Sequence, residues 1–509
     1  MDFLTTFSVR GLEILSTLFI FILGISALVV IAIYVADAVQ SKDAIRHNYP
    51  VIGRFRELFT RLGEFFRQYF FALDREEMPF NRAERDWIYK SAKGGNNTLP
   101  FGSTRNLNLV GTPIFINCAF PRLDEEASDP PPVEVGPYTP NPFLISSIIN
   151  ISAMSFGSLS KPAVRALSQG AKLANCYMNT GEGGLSPYHL EGGCDVVFQM
   201  GTAKYGVRDG KGGLSEEKLA KLAARPEVKM IEIKLAQGAK PGKGGILPAA
   251  KVNREIAKIR GIPAGQASIS PNRHPEINNV EELLDFVERV RRTSTLPTGF
   301  KTVLGAYGWL NDLCDAIERR GIESAPDFIT LDGGDGGTGA APMSLMDNVG
   351  LPLKQSLPML VDILEHRGLR DRIKVIASGK LVTPAEVAWA YCAGADIVNT
   401  GRGFMFSIGC IQALRCHTNN CPTGVTTHKK NLQGGLDPKV KAPRVANYVD
   451  KMRKDVAMIA HSCGAAHARN LKRFHVRIQQ ENGTSIPLDE LLARRRPEVR
   501  EHSERRAKD

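Results

Sequence analysis

Cys410, Cys416 and Cys421 fall within a dozen residues, and Pro422 follows the last of them. Thiolates crowded in this way hold soft metals, which points to zinc or an iron–sulfur cluster. A structural zinc site needs four ligands. The stretch has no CxxC pair, and His417 is adjacent to Cys416, a poor position from which to share its metal. Three thiolates suit a cubane-type cluster better, either three-iron or four-iron with one ligand that is not cysteine. The Cys-Pro ending also recurs in ferredoxin sequences. The plain alternative is three ordinary buried cysteines.

A second group of chemically capable residues interrupts apolar runs upstream. From about residue 149 the chain alternates strand-like runs with helical stretches, the pattern of βα units. The runs end at Phe156, Gly181, Gly201, Ala236, Gly305, Gly334, Gly379 and Gly401, which makes eight. Helical stretches read over 159–173, 217–225, 281–292, 308–320, 354–366 and 384–393. Eight parallel strands with covering helices predict a closed (β/α)8 TIM barrel. An open doubly wound sheet is the alternative, weakened by the lack of a GxGxxG turn after the first strand.

In such a barrel, chemistry sits at the carboxyl ends of the strands. The first end carries Ala153, Met154 and Ser155, and the second leads into NTGEGG, Asn179 to Gly184. The third holds Gln199, the fourth Glu232 and Lys234, and the fifth Lys301. The sixth opens into DGGDGGTGA with Gly334, the seventh gives Ser378, Gly379 and Lys380, and the eighth Gly401 and Arg402. Glycines after strands seven and eight let backbone N–H groups approach an anion, where barrels of this kind commonly bind phosphate. Lys380 and Arg402 add positive charge. A phosphate there, with a ring over the mouth, suggests flavin mononucleotide. Alternation puts Glu232 and Lys234 on one side of their strand, as a buried ion pair or as working groups. Glu232 and Lys301 approach the mouth, where a lysine holds a carboxylate or polarises a carbonyl.

The net charge is 65 − 53 = +12, which raises nucleic acid or an anionic membrane as partners. No nucleic-acid motif is present, so the membrane is preferred. Nine cysteines, three of them clustered, fit a reducing compartment better than a disulfide scaffold. Ile14 to Val35 is uncharged, apolar and long enough to cross a hydrocarbon core of about 30 Å. Lys42, Arg46, Arg54, Arg56, Arg61 and Arg67 follow it. The positive-inside rule therefore predicts a single-pass protein of the cell membrane with its catalytic domain on the cytoplasmic side. Residues 52–71 read as an amphipathic helix, which would lie on the membrane surface or pack on the soluble domain. Residues 72–100 read as polar loop. The tail from Arg494 reads as disordered, or as a segment that binds anionic lipid or a partner. The expected divisions are a transmembrane anchor at 1–40, a basic amphipathic linker region at 41–100, the barrel at 101–480 with its cysteine segment at 409–424, and a charged tail at 481–509.

The motifs MSFGSLSK (Met154 to Lys161), NTGEGG, EIKLAQGAKPGKGGILP (Glu232 to Pro248), DGGDGGTGAAP (Asp332 to Pro342) and CPTGVTTH (Cys421 to His428) together resemble the FMN-binding synthase domain of glutamate synthase. The resemblance implies FMN in the barrel and a [3Fe-4S] cluster on Cys410, Cys416 and Cys421. It implies condensation of 2-oxoglutarate with ammonia and hydride delivery from reduced flavin to give L-glutamate. Glu232 and Lys301 match the family's active-site acid and lysine. Met154, Ser155, Gln199, Gly379, Lys380 and Gly401 match the flavin surroundings.

Several features depart from the family pattern. Met1-Asp2 leads straight into the apolar segment, with no glutaminase-sized region and no cysteine nucleophile. SISPNRHPEI (Ser268 to Ile277) differs from the family's version. No nucleotide fingerprint for NAD(P)H appears. Ammonia is therefore expected free or from a glutaminase subunit, and electrons from ferredoxin or a separate reductase. The alternatives are a flavin oxidoreductase acting on another amino acid or keto acid, and a non-catalytic electron-transfer subunit.

Overall fold

The computed structural model describes residues 2–493. It divides into two compact units, Met1–Arg82 and Ala83–Asp509.

In the first unit, helix α1 runs from Asp2 to Val39, and its stretch Phe7–Val39 is long and apolar enough to cross a membrane. A short helix α2, Ala44–Asn48, is N-capped by Asp43, whose carboxylate accepts from the N–H groups of Ile45 and Arg46. Helix α3, Gly53–Phe66, continues into a π-helical turn over Arg67–Phe71.

Helix α4, Arg82–Ala92, starts on the last residue of the first unit and otherwise belongs to the second; it lies inside the region expected to be loop. Its few apolar side chains hide it from a periodicity test, because tertiary packing holds it. Ile88 is fully buried, the Trp87 ring meets Tyr448 edge-on at 6.0 Å, and Asn447 donates to the Ala92 carbonyl at 3.1 Å.

The eight expected strands close into a parallel barrel. They are β1 Ile149–Ile151, β2 Met178–Asn179, β3 Val196–Met200, β4 Val228–Lys234, β5 Thr298–Thr302, β6 Phe328–Asp332, β7 Lys374–Ser378 and β8 Ile397–Thr400. Closure comes from β8 against β1, with Val398 opposite Ile149 and Thr400 opposite Ile151. Each strand is nearly all buried, which is why the runs read as mostly apolar and why the polar residues that interrupt them stand out. At β5, Gly299 is required by space: a Cβ there would lie 2.1 Å from the Phe328 carbonyl.

A hairpin of Val133–Val135 and Phe143–Ile145 closes the amino end of the barrel. Val135 and Ile145 pack there with Val197, Met230, Phe328, Ile376 and Ile397. That leaves the carboxyl ends of the strands, where barrels of this kind carry their sites. On the outside, helix α5, Lys161–Leu173, packs against the long helix Pro438–Ser462.

Part of the expected charged tail is ordered. Ser485–Pro487 pairs antiparallel with Val476–Gln479, which pairs with Pro113–Phe115. The turn is Asn482-Gly483, with Gly483 at φ +78°, the dipeptide that favours tight hairpins. The expectation of disorder from Arg494 onward lies outside the described residues.

Candidate functional site

The barrel lumen is built around a carboxylate. Glu232 on β4 is 1% exposed. One of its oxygens accepts from Asn179 Nδ2 at 2.9 Å and from Gln199 Nε2 at 2.6 Å. The other accepts from Thr330 Oγ1 at 2.6 Å. Strands β2, β3, β4 and β6 are thus tied at one level, and Glu232 and Gln199 stand opposite each other in register.

Glu232 and Lys234 are not an ion pair. Lys234 Nζ lies 2.9 Å from Glu182 Oε1 and donates to Gln237 Oε1 at 2.9 Å. The reason is geometric: side chains two apart on a strand point the same way without facing each other, so partners come from neighbouring strands and loops. Glu182 arrives on the NTGEGG loop, and two glycines make room for it. A Cβ on Gly245 would sit 2.1 Å from its carboxylate, and one on Gly201 2.6 Å from its Cβ. Burial pushes the Glu182 carboxyl up, but Lys234, Lys240 and Arg260 outweigh that and hold it at about 2.

Lys301 on β5 stands in register beside Lys234. Its Nζ is 3.9 Å from Asp332 Oδ2. Asp332 is itself fixed by the Gly238 N–H at 2.9 Å and by Ser378 Oγ at 3.0 Å. Lys240 reaches the Ala340 carbonyl at 3.1 Å. Burial, then the charges of Lys234, Lys301 and Lys243, lower it to about 8 despite Glu182. Three buried lysines thus face two carboxylates at the carboxyl end of the barrel. Glu182, Asp332 and Lys240 were not singled out by sequence reasoning. Their only signal was membership of the glycine-rich motifs.

The remaining expected residues divide into two places. Ala153, Met154, Ser155, Gly379, Lys380 and Gly401 follow β1, β7 and β8, and Gly334 and Ser378 adjoin them across β6 and β7. Gly379 has φ +132°, and a Cβ on Gly401 would meet Met154 Cε at 3.2 Å, Ser152 Cβ at 3.9 Å and nothing else within 4 Å. A Cβ on Gly379 would instead press on Gly333 N at 3.0 Å, so the open side is at Gly401, one of the two strand ends where such barrels take a phosphate, and a phosphate such as that of flavin mononucleotide suits it. Arg402 turns elsewhere. It donates to the Thr338 carbonyl, and its Nη1 lies 3.8 Å from Cys416 Sγ.

Arg402 therefore belongs with the thiols. Burial opposes its charge, but Cys416, Cys410 and Cys421 raise its pKa. On another side Lys251 is 2% exposed and donates to the Ser158 carbonyl at 2.9 Å. Burial lowers it to about 8, and Cys416 and Cys421 pull against that shift. Cys410 is pushed to about 11 by burial. Cys421 is lowered, because the hydroxyls and backbone of Thr423 and Thr426 outweigh its burial. Thr426 Oγ1 is buried with no partner in hydrogen-bond geometry and acts on Cys421 through proximity. Tyr89 donates to the Cys410 carbonyl at 2.6 Å.

Among the described residues, no group of three or more His, Cys, Asp or Glu gathers tightly enough to hold a single metal ion. A cluster asks less convergence, since each thiolate binds its own iron. Three thiols, two flanking cations and an unpartnered hydroxyl fit an anionic cluster.

A family model described as the conserved region in glutamate synthase matches residues 122–466. The chain belongs to the glutamate synthase family. It is similar to the glutamate synthase large subunit-like protein YerD of Bacillus subtilis, 39% identical over 521 aligned positions that cover 94% of this chain and 98% of that protein. It is also similar to the archaeal glutamate synthase [NADPH] of Methanocaldococcus jannaschii, at 34% identity over 64% of this chain and 60% of that enzyme. The chain thus matches about three fifths of the archaeal relative's length. A weaker likeness, TM-score 0.46 at 14% identity, is to the flavin-binding domain of baker's yeast flavocytochrome b2, covering 81% of this chain and 83% of that one.

Proposed function

We propose that this glutamate synthase relative is an FMN- and iron–sulfur-dependent oxidoreductase that reductively aminates 2-oxoglutarate to L-glutamate. The observation that carries this reading is the cationic mouth, with Lys234, Lys240 and Lys301 against Glu182 and Asp332. A cation excess in a desolvated cleft suits a dianionic keto acid.

Ala153, Met154, Ser155, Gln199, Lys301, Gly334, Ser378, Gly379, Lys380 and Gly401 would surround FMN, which supplies hydride when bound. Lys301 and Lys240 hold the substrate's carboxylates. Lys301 also keeps Asp332 oriented. Glu232 fixes Asn179 and Gln199 beneath the mouth and is the buried acid for proton movements of the imine nitrogen. Cys410, Cys416 and Cys421 would hold a [3Fe-4S] cluster, with Arg402 and Lys251 offsetting its charge.

Electrons come from ferredoxin or a separate reductase, and ammonia comes free or from a glutaminase subunit. The apolar helix α1 anchors the chain in the cell membrane, with the catalytic unit on the cytoplasmic side, where Lys42, Arg46 and the later arginines lie.

The test is an assay of purified protein with 2-oxoglutarate, ammonium and an artificial low-potential reductant. Glutamate is expected. No glutamate from protein fully loaded with flavin and iron would overturn the reading in favour of another amino or keto acid.

A further inference from the structure

The first unit carries an unpartnered helix face whose geometry assigns it an occupant. Resting on the reading of α1 as a membrane anchor, we propose that α3 and its π-helical extension, Gly53–Phe71, lie half-sunk in the cytoplasmic surface of an anionic phospholipid bilayer, locked at that depth by Asp37 and Arg54.

At 100° per residue, Phe55, Leu58, Phe59, Leu62, Phe65, Phe66, Tyr69 and Phe70 fall within one continuous arc of the helix. All of them are exposed, including Phe59 at 65% and Phe70 at 68%. A row of aromatic side chains of this size is costly to leave in water.

The charges are sorted on the same wheel. Arg54 and Arg61, paired with Asp37 and Glu57, flank one edge of the apolar arc, and Arg56 and Arg67 flank the other. Glu57, Thr60 and Gln68 lie on the opposite face, where the exposed Phe71, the last residue of the π-helical turn, also falls. Cations at both edges lie at phosphate level when the apolar arc is buried, with their stems along the acyl boundary. Acidic and neutral side chains then face water. This sorting complements an anionic headgroup layer and does not match a uniformly acidic protein surface.

The elbow fixes the depth. Asp37 sits in the last turn of the apolar stretch and is almost fully buried. It accepts from Arg54 Nε at 2.8 Å, from Arg54 Nη2 at 2.7 Å and from the Val51 N–H at 3.1 Å. Gln40 closes the turn, bonding the carbonyls of Asp37 and Asp43 and accepting from the Asp43 N–H. The start of α3 is therefore tied back to the level at which α1 leaves its apolar stretch, which is the headgroup region.

The experiment uses the full chain in nanodiscs carrying brominated lipids, with tryptophan placed one position at a time. In discs with anionic phosphatidylglycerol, Phe59→Trp is expected to lose at least three times as much fluorescence to shallow bromines as Thr60→Trp. Equal quenching of the two, or none at Phe59→Trp, would overturn the proposal; the second result would leave α3 packed on protein. Equal quenching of Phe59→Trp in discs of phosphatidylcholine alone would overturn the assignment to anionic lipid. Leu18→Trp in the same discs reports on α1 separately. If Leu18→Trp is quenched by deep bromines while Phe59→Trp is silent, only the present proposal fails; if Leu18→Trp is unquenched, the anchor reading fails too.

Discussion

The ammonium of Lys234 on β4 sits 2.9 Å from the carboxylate of Glu182 on the loop after β2. This bond joins two walls of the barrel mouth. Removing one partner leaves the other charge buried, which costs about 3–5 kcal/mol. Glu182→Gln should therefore lower the melting temperature at neutral pH. The carboxyl stands at about 2, below its ordinary 4.5. Its contribution is present above pH 4.5 and is lost as pH falls from 4.5 toward 2. At about 1.4 kcal/mol per unit, that is of order 3 kcal/mol. The wild-type and Glu182→Gln melting curves should converge over that window. A gap that persists at pH 2.5 would assign the loss to packing.

Lys240 links pH to substrate affinity. Its ammonium stands at about 8, so a carboxylate held by it is released as pH rises through that value. The KM for 2-oxoglutarate should climb above pH 8, by up to tenfold per unit. Lys240→Arg keeps its charge and should flatten that climb. An identical profile in the variant would place the titration elsewhere.

Lys301→Ala separates binding of the flavin from turnover. The side chain is 4% exposed and its close ionic neighbour is Asp332. Flavin content should stay near wild type while kcat/KM falls at least a hundredfold, the usual scale for one preorganised electrostatic contact. Unchanged kcat/KM would make the lysine structural.

Gly401→Val tests the open side at Gly401. Its new side chain would enter a region bounded by Met154 Cε. The flavin-to-protein ratio should drop at least tenfold, with the apoprotein melting temperature held within a few degrees. Full flavin in a folded variant would move the phosphate site away from β8.

At the thiols, Cys416→Ser should abolish the electron paramagnetic resonance signal of the cluster. Lys251→Met should keep the signal and lower the midpoint potential, because a buried cation favours the more negative, reduced form. An unaltered potential would remove Lys251 from the cluster's electrostatics.

The barrel was legible in the sequence because each strand is a buried apolar run ending at a glycine or a chemically unusual residue. The mouth was legible residue by residue but not as pairs. Glu232 reads as an isolated ionisable group, and only the closed fold shows it bonded to Asn179, Gln199 and Thr330. Lys234 reads beside Glu232, whereas its partner lies 52 positions earlier, on another loop. Arg402 reads as a phosphate ligand from its position after β8, yet its side chain turns to the thiols. Helix Arg82–Ala92 left no periodic trace because its stability comes from Tyr448, Asn447 and the cysteine segment.

That last helix sets where the molecule can be divided. Tyr89 reaches across 321 positions to the carbonyl of Cys410, so the loop that carries the first thiol is propped by chain lying ahead of the barrel. A fragment begun at residue 101 would lack this prop, whereas one begun at Ala83, where the second compact unit starts, would retain it. On the proposed reading, a boundary at Ala83 keeps the thiol segment and its prop on one side and the apolar helix on the other, so that a change of anchor need not touch the support of the first thiol.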